Sequence, residues 1–292
     1  SSKAYSVYTQ LFLTHIDEAG RSTPPVVLAN FTEENRAANI PEFVNTTPGA
    51  IKNIQVRFLD DTNYLRAGDA FRKEGDFAGA VRAYRKALEI NPDNAAVHVN
   101  MGVSLMQQGE LDEARTHLLR ATELEPDLAT AHCSLGIVLG RQNRLEEAAE
   151  SLREALKADR EYAPAHLHLG ALLLGMGRSE EATRHLSEAV RLDPDDPYAR
   201  FNLAVALSGT GQPAEAAAEL DRTLEEDADF FPALVSLALV RATSRDDSLR
   251  DGRKAIELAA RACSLTRNQH PEALHALASA YAEMGRFEEA IA

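Results

Sequence analysis

The sequence predicts an all-α fold: a right-handed α-solenoid of six full helix-turn-helix repeats and part of a seventh, with a short N-terminal β-hairpin or irregular segment. Small residues recur every 34 residues, and a helix-breaking motif ends most of these intervals. Within each interval the apolar residues follow helical spacing. A fixed period of about 20–50 residues is the signature of stacked supersecondary units that bury their apolar faces against their neighbours.

The period is visible in one short phrase. ALEINPDN at 87–94 returns as ATELEPDL at 121–128 and as AVRLDPDD at 189–196. Counted in 34s with Asp61 as position 1, position 8 is Gly or Ala in all six repeats, and position 20 is Ala in the first five. Helices approach within about 8–10 Å only where the contacting side chains are short. These columns therefore mark the contact between the two helices of each repeat, helix A and helix B.

The repeats are predicted near 61–94, 95–128, 129–162, 163–196, 197–230 and 231–270, with a partial seventh at 271–292. In repeat 2, Gly109 supplies a turn residue with positive φ between the two helices. Pro126 ends helix B because proline lacks a backbone N–H, and Asp127 is predicted to cap the next helix A. Extra residues around Ser244–Gly252 predict an exposed loop between the helices of repeat 6.

Repeat 1 carries the pattern of a known repeat family. Its defining residues are Tyr64, Gly68, Phe71, Ala80, Tyr84, Ala87 and Pro92, at positions 4, 8, 11, 20, 24, 27 and 32. This pattern is similar to the tetratricopeptide repeat (TPR) family, and it recurs in register from Asp61 to the end. The resemblance implies a TPR solenoid in which helix A residues at positions 2, 5, 6, 9, 12 and 13 line a concave groove.

Residues 1–46 lack the 34-residue columns and are predicted to form a separate β-hairpin and connector, followed by a linker at 47–60. The runs YTQLFLTHID and PPVVLANF flank EAGRST, and two such runs around a turn containing Gly indicate a β-hairpin. An isolated hairpin is marginally stable in water. It therefore either packs on the first helices of the solenoid or belongs to a larger sheet.

The stretch from LFLTHIDEAG to NIPEFVN resembles the end of TolB-like (PD40) β-propellers that are followed by TPRs. The resemblance implies that residues 1–46 are the last piece of a truncated propeller. Because such propellers are usually extracytoplasmic, it also implies a bacterial protein of the periplasm. The alternatives are a small β-element that caps the solenoid and a cytoplasmic location.

The formal net charge of −14 argues against a nucleic-acid partner, since the phosphate backbone needs a basic surface. No apolar run reaches the ~20 residues of a transmembrane helix, so no membrane insertion is predicted. Cys133 and Cys263 lie in repeats 3 and 6. At ~10 Å per stacked repeat, the distance between the two cysteines exceeds the ~7 Å Cα separation that a disulfide allows. They cannot pair within one chain, so cysteine use does not identify the compartment.

No arrangement of residues predicts an enzyme. GTGQPA at 209–214 is similar to a dinucleotide-binding loop, but it joins two helices rather than a strand and a helix. His98, His132 and His166 all fall at position 4. With ~10 Å between adjacent repeats they cannot share one zinc ion, which binds nitrogens at about 2.0–2.1 Å, and we interpret them as packing residues. The sequence predicts no cofactor and no metal site.

Apolar residues form a second stripe on helix A, beside the stripe that packs on helix B. A helix with two apolar stripes is either buried on both sides or binds a partner. With the polar residues of position 6 added, the predicted partner-binding groove consists of Val99, Asn100, Val103, Met106, Cys133, Ile137, Leu167, His168, Ala171, Leu174, Phe201, Asn202 and Val205. The alternative is tight packing between neighbouring helices A with no ligand.

Two further resemblances bear on this groove. The Asn residues at position 6 resemble the Asn ladder of O-GlcNAc transferases, whose amides hold a peptide backbone. TPR proteins that bind C-terminal carboxylates use Lys and Asn at positions 5 and 9 of the first repeat, where this chain has Leu65 and Asp69. Because Asp69 would repel a carboxylate, the predicted ligand is an apolar peptide or helical segment rather than an acidic tail.

Three functional hypotheses follow. The first is a non-catalytic protein-protein interaction scaffold that binds a protein or peptide with an apolar segment in the groove. The second is a structural spacer between a β-propeller and further repeats, or a module that self-associates through its solenoid ends. The third is the regulatory part of an enzyme whose catalytic domain lies outside this chain. The sequence identifies neither the partner nor the biological process.

Overall fold

A computed structural model of the protein describes the backbone of residues 9–13 and 26–31, and the whole of residues 61–291. Strand β1 (Thr9–Leu13) pairs antiparallel with β2 (Val26–Phe31), with one irregularity in the register between Leu11 and Phe12. These strands confirm the predicted hairpin. Its turn, the connector and the linker at 47–60 lie outside the described residues. The propeller resemblance and the limits of the domains therefore stay predictions.

Residues 61–291 contain fourteen α-helices in seven successive A and B pairs. The helices are α1 (Asp61–Lys73), α2 (Phe77–Ile90), α3 (Ala95–Gln108), α4 (Leu111–Leu124), α5 (Ala129–Arg141), α6 (Leu145–Ala158), α7 (Ala163–Gly175), α8 (Ser179–Leu192), α9 (Pro197–Gly209), α10 (Pro213–Glu226), α11 (Phe231–Thr243), α12 (Gly252–Leu265), α13 (Pro271–Glu283) and α14 (Phe287–Ile291). This confirms six full helix pairs and a seventh with a short helix B. Within these residues, no helix combines the length and the apolar character needed to cross a membrane.

The chain divides into two compact units, Ser1–Val138 and Leu139–Ala292, here called unit 1 and unit 2. In unit 1, α1 to α4 pack in sequence order, each against the next. The small residue at position 8 allows this approach: a Cβ added to Gly102 would lie 2.6 Å from Leu118 Cγ. Tyr84, Met101 and Leu118 fill the core around this contact and are fully buried.

Unit 2 repeats the same contact with different residues. A Cβ added to Gly170 in α7 would lie 2.5 Å from Cγ of Leu186 in α8, and Leu186 is fully buried. Such separations leave no room for a side chain, because protein interiors are packed as densely as organic crystals. The column of small residues at position 8 therefore has the structural cause that the sequence pattern indicated.

The turn between helix A and helix B depends on a residue with positive φ at position 15. Glycine occupies this position in five repeats, as Gly75, Gly109, Gly177, Gly211 and Gly285, and φ of Gly109 is 85°. In repeat 3 the residue is Asn143, with φ of 59°. Asn is among the few residues other than Gly that enter this region readily.

The helix caps differ from the prediction by one residue. In repeat 2 the capping residue of helix A is Asn94, at position 34, whose side chain accepts a hydrogen bond from the Val97 N–H at 3.2 Å. Because α5 begins at Ala129, the equivalent position before repeat 3 is Leu128, and the predicted cap Asp127 lies one residue too early. Leu128 has no side-chain oxygen, so this helix lacks the cap that Asn94 provides to α3.

The insertion in repeat 6 forms the predicted exposed loop between α11 and α12. Asp251 closes it: its N–H donates to the carbonyl of Arg241 at 2.9 Å, and its carboxylate accepts from the Lys254 N–H at 3.0 Å. The second bond caps the first turn of α12. Arg250 then joins the loop to α13 through an ion pair with Glu283 at 3.2 Å.

Candidate peptide-binding groove

Helices A of successive repeats lie side by side within each unit. In unit 1 α1 contacts α3, and in unit 2 α7 contacts α9 and α11 contacts α13. Residues three and four apart share one side of a helix, so positions 5, 6 and 9 of each helix A share a face. The predicted groove residues divide into Val99, Asn100, Val103, Met106, Cys133 and Ile137 in unit 1, and Leu167, His168, Ala171, Leu174, Phe201, Asn202 and Val205 in unit 2.

In unit 1, packing covers half of these residues. Val99, Met106 and Cys133 are buried, whereas the other three are partly exposed. The burial of Val99 and Met106 reduces the apolar surface that α3 can offer to a ligand. The groove assignment in unit 1 stays a prediction that depends on the remaining exposed surface.

A polar network occupies the unit 1 face beside α3. Asp69 Oδ1 accepts hydrogen bonds from Tyr84 Oη at 2.8 Å and from Asn100 Nδ2 at 3.0 Å. Burial, followed by the hydrogen bond to Asp69, raises the pKa of Tyr84. The amide of Asn100 thus already has an intramolecular partner, which weakens its predicted role in holding a peptide backbone.

Unit 2 leaves more of its predicted residues accessible. On α9, Val205 is 40% exposed and Tyr198 is 60% exposed. Tyr198 lies at position 2, and although that position was assigned to the concave face, the predicted set did not include it. Positions 2, 5, 6, 9, 12 and 13 of α7 and α9 contain no Asp, Glu, Lys or Arg. The face therefore has no acidic or basic side chain and is largely apolar, in a chain whose formal net charge is −14.

Aromatic contacts hold the exposed side chains of α9 in place. The ring of Phe230, which is buried, lies 5.2 Å from that of Tyr198 with an interplanar angle of 84°, and 5.9 Å from that of Phe201 with an angle of 62°. Edge-to-face pairs of this kind are favourable beyond the burial of area. Tyr198 and Phe201 are consequently held in position before any ligand arrives.

Two neutral polar groups lie on the same face of unit 2. Burial is the largest cause that lowers the pKa of His168, so its ring is neutral at pH 7. Asn202 Nδ2 donates to the carbonyl of Tyr198 at 2.8 Å. An amide has two N–H donors and an acceptor oxygen, so this bond leaves part of the hydrogen-bonding capacity of Asn202 for a ligand.

The structure also shows a pairing that the sequence analysis missed. His98 Nδ1 lies 2.9 Å from His117 Nδ1, and His98 Nε2 lies 2.9 Å from the carbonyl oxygen of Pro92. The position 4 histidine is thus hydrogen bonded and is more than a packing residue. The available signal was His at position 23 of the same repeat, a combination that recurs in repeat 4 as His166 and His185.

Other chemically active groups do not converge on this face. Burial raises the pKa of Cys133 to about 12 and also raises that of Cys263, so both free thiols are protonated at pH 7. Among residues 61–291, no group of three or more His, Cys, Asp or Glu side chains is placed to hold a metal ion. A cavity of about 500 Å³, lined by Asp221, Lys254 and Arg261 among others, contains none of the predicted groove residues.

Comparison with known structures supports the fold. The chain is similar to YrrB, described as a TPR protein with an unusual peptide-binding site, at 28% identity and a TM-score of 0.54, covering 68% of this chain and 98% of YrrB. It is similar in fold to PilF of Pseudomonas aeruginosa, at 21% identity and a TM-score of 0.57, covering 77% of this chain and 90% of PilF. It also shares its fold with a chain of the APC/C hetero-tetramer Cut9-Hcn1, at 17% identity and a TM-score of 0.66, covering 76% of this chain and 42% of that one.

Family comparison gives two matches, and no curated protein sequence matches the chain. A tetratricopeptide repeat model matches residues 273–292. The model of the cilia and flagella-associated protein 70 C-terminal domain, a TPR domain, matches residues 44–230, which is more than half of the 292 residues. The chain therefore belongs to the tetratricopeptide-repeat family of the cilia and flagella-associated protein 70 C-terminal domain.

Proposed function

We propose that this chain is a non-catalytic protein-interaction module, and that the helix-A face of α7 and α9 binds an apolar peptide or helical segment. The exposure of Tyr198 and Val205 on a face without charged residues is the observation that carries the proposal. Exposed apolar area of this kind is typical of binding sites. The description of YrrB as a peptide-binding TPR protein, at 28% identity, supports the same assignment.

The composition of the face indicates the chemistry of the partner. A charged side chain placed against Leu167, Phe201 or Val205 would lose its hydration without gaining an opposite charge. An apolar side chain would instead add to the contact area, and full burial of a Leu or Phe contributes about 1.5–3 kcal/mol. A few such contacts support micromolar affinity after the costs of association.

The dimensions indicate the length of the bound segment. Two adjacent helices A span about 20 Å at ~10 Å per repeat. An extended peptide advances at most about 3.3–3.6 Å per residue, so about six residues cross this face. Because the edge-to-face contacts with Phe230 already hold Tyr198 and Phe201, binding would order few additional side chains.

The test uses peptides selected from a random library against the purified protein, with affinity measured by fluorescence anisotropy. The double change Leu167→Asp and Val205→Asp is expected to weaken binding by at least about tenfold, which equals about 1.4 kcal/mol. Phe201 is left unchanged because it packs on Phe230. The matched control is Leu265→Asp on α12, where the side chain is 45% exposed and lies outside the face.

The control is expected to bind within about twofold of the parent, and all variants are expected to keep the parent's helical circular dichroism. Equal affinity of the double variant and the parent would show that this face is not the binding site. Equal losses in the double variant and the control would show that the effect comes from added negative charge rather than from the position of the change.

Self-association is a second candidate, because apolar side chains are exposed near α14. Met284 is 46% exposed, Phe287 is 64% exposed and Ile291 is 87% exposed. Sedimentation equilibrium across a range of concentrations should then show dimers or larger species, and Phe287→Asp should shift them to monomers. A parent that stays monomeric at all concentrations would remove this candidate. No observation in the described part of the chain favours the third hypothesis, a regulatory part of an enzyme.

A further inference from the structure

Two histidine pairs connect a loop between repeats to the following helix pair. In repeat 2, His98 of α3 faces His117 of α4, with 2.9 Å between their Nδ1 atoms. In repeat 4, His166 of α7 faces His185 of α8, with 3.1 Å between the same atoms. The Nε2 atom of the first histidine lies against a carbonyl of the preceding loop in each case, at 2.9 Å from Pro92 and 3.1 Å from Arg160. We name these the histidine pairs.

The carbonyl contact determines where the protons are. A carbonyl oxygen only accepts, so Nε2 of His98 carries a hydrogen and donates it to Pro92. A neutral imidazole has one N–H, so Nδ1 of His98 is an acceptor. His117 must therefore donate from Nδ1, which leaves its Nε2 without a hydrogen. The same reasoning applies to His166 and His185, and both pairs are fully hydrogen bonded only while the first histidine is neutral.

Protonation affects the two rings of a pair differently. A proton on His117 Nε2 leaves the Nδ1 contact in place and faces Glu113 Oε1 at 3.9 Å. A second proton, on Nδ1 of His98, would bring two N–H groups and two positive charges together at 2.9 Å. Since like charges at this distance repel strongly, each pair holds at most one added proton while its hydrogen bond is intact.

Nearby charges do not remove this restriction. Arg85 of α2 lies beside the first pair and holds Glu113 in an ion pair at 2.8 Å. Around the second pair, Arg184 and Glu181 come from α8 and Arg153 comes from α6. Glu188 of α8 interacts with His166 but is already bonded to Arg191 at 2.6 Å. The carboxylates near both pairs are thus balanced by arginines.

Repeat 5 has an ion pair between arginine and glutamate at the same two positions. Arg200 at position 4 donates from Nε to the carbonyl of Pro194 at 3.0 Å and contacts Glu219 at position 23 at 3.2 Å. This is the arrangement of the histidine pairs built from arginine and glutamate, residue types whose ordinary pKa values lie outside the range from about pH 5 to pH 8. In repeat 5 the contact between position 4 and the loop carbonyl is therefore made without a histidine.

We propose that the histidine pairs are pH-sensitive contacts that hold their loops to the next helix pair at neutral pH and release them when both rings are protonated. Burial, followed by the facing histidine, lowers the pKa of His117 and of His185. A lowered folded-state pKa means that the unfolded chain binds more protons below its ordinary value of about 6.5. The contribution of the histidine pairs to the free energy of unfolding is therefore present above about pH 6.5 and is lost as the pH falls below that value.

The size of the pH dependence follows from the number of protons that a histidine pair binds in the folded and in the unfolded chain. Below about pH 6.5 the two histidines of an unfolded pair bind two protons, whereas the folded pair holds at most one. Each excluded proton changes the folding equilibrium constant by about tenfold per pH unit. The parent protein should consequently show a urea midpoint that falls between about pH 6.5 and pH 5. The two pairs contribute to this fall together with His168, whose pKa is also lowered by burial.

The test transfers the pair of repeat 5 into repeats 2 and 4. The variant His98→Arg/His117→Glu/His166→Arg/His185→Glu should show a smaller fall of its midpoint over this pH range than the parent, with the remainder due to groups such as His168. The converse variant, Arg200→His/Glu219→His, adds a third pair and should make the fall steeper. A parent whose midpoint does not fall, or a transfer variant whose midpoint falls as much as the parent's, would overturn the proposal.

A second measurement covers the case in which the transfer variant does not fold. Nitrogen NMR of the parent distinguishes Nε2–H from Nδ1–H and reports the proton count of each ring. The proposal requires Nε2–H on His98 and Nδ1–H on His117 at about pH 7.5, and a total uptake of at most one proton per pair before the fold loosens. The opposite tautomers, or uptake of two protons per pair in the intact fold, would contradict it.

Discussion

The largely buried ion pair of repeat 5 allows a quantitative prediction for the change Arg200→Met. Arg200 is 12% exposed and Glu219 is 14% exposed, with 3.2 Å between their charged groups. Arg200 also bonds the carbonyl of Pro194 at 3.0 Å and contacts Glu226 at 3.2 Å. The change keeps an unbranched apolar side chain of similar length but removes all three contacts.

The expected loss of unfolding free energy is about 3 kcal/mol. Removing one partner of a buried ion pair costs about 3–5 kcal/mol, because the other charge stays buried without compensation. We expect the lower end of this energy range, because Glu219 keeps a hydrogen bond from Arg222 at 2.6 Å and Glu226 is 37% exposed to solvent. Replacing both partners, Arg200→Met with Glu219→Leu, should bring the loss to within about 1 kcal/mol.

The assay is urea unfolding at about pH 7, followed by circular dichroism. The control is Arg191→Met, because its pair with Glu188 is exposed, at 57% and 34%, and such pairs contribute at most about 1 kcal/mol. A loss below about 1 kcal/mol for Arg200→Met would refute the reasoning. So would a double variant as unstable as the single one, because the cost would then not come from the uncompensated carboxylate.

Three further changes test local features by the same assay. Gly170→Ala should destabilise by about 1–3 kcal/mol, because the added Cβ would lie 2.5 Å from Leu186 Cγ; no loss would mean that α7 and α8 separate easily. Asn143→Ala should cost about 1–2 kcal/mol, while Asn143→Gly should not destabilise, since φ is 59°; equal effects would contradict the turn assignment. Asn94→Ala should cost about 1 kcal/mol through loss of the cap on α3, and an unchanged midpoint would show that this cap is dispensable.

Much of the fold was predictable because its determinants are local or periodic. Position 8 is small wherever helix A meets helix B, as at Gly102 and Gly170, and a positive-φ residue such as Gly109 separates the two helices. These requirements act within one repeat of 34 residues and recur in most of the repeats. One sequence therefore contains several independent copies of the same signal, which is sufficient to predict the helix pairs and the exposed loop of repeat 6.

The candidate site could be predicted only in part, because exposure depends on neighbouring helices. Val99 and Phe201 both occupy position 5 of a helix A, yet Val99 is buried and Phe201 stays partly exposed. Tyr198 was missed, although it is the most exposed aromatic residue of α9. Residues at the same position of two repeats thus differ in solvent exposure, and the repeat pattern alone does not predict this difference.

By itself, the sequence determined the period, the helix pairs, the TPR family and the absence of charge along the helix-A stripe of repeats 4 and 5. The tertiary structure decided which of those stripe residues remain accessible to solvent, and which hydrogen bonds the position 4 residues form. His98 and His117 are 19 residues apart and meet only because α3 and α4 fold back on each other. Their 2.9 Å contact, and the burial that lowers the pKa of His117, arise only when the chain is packed.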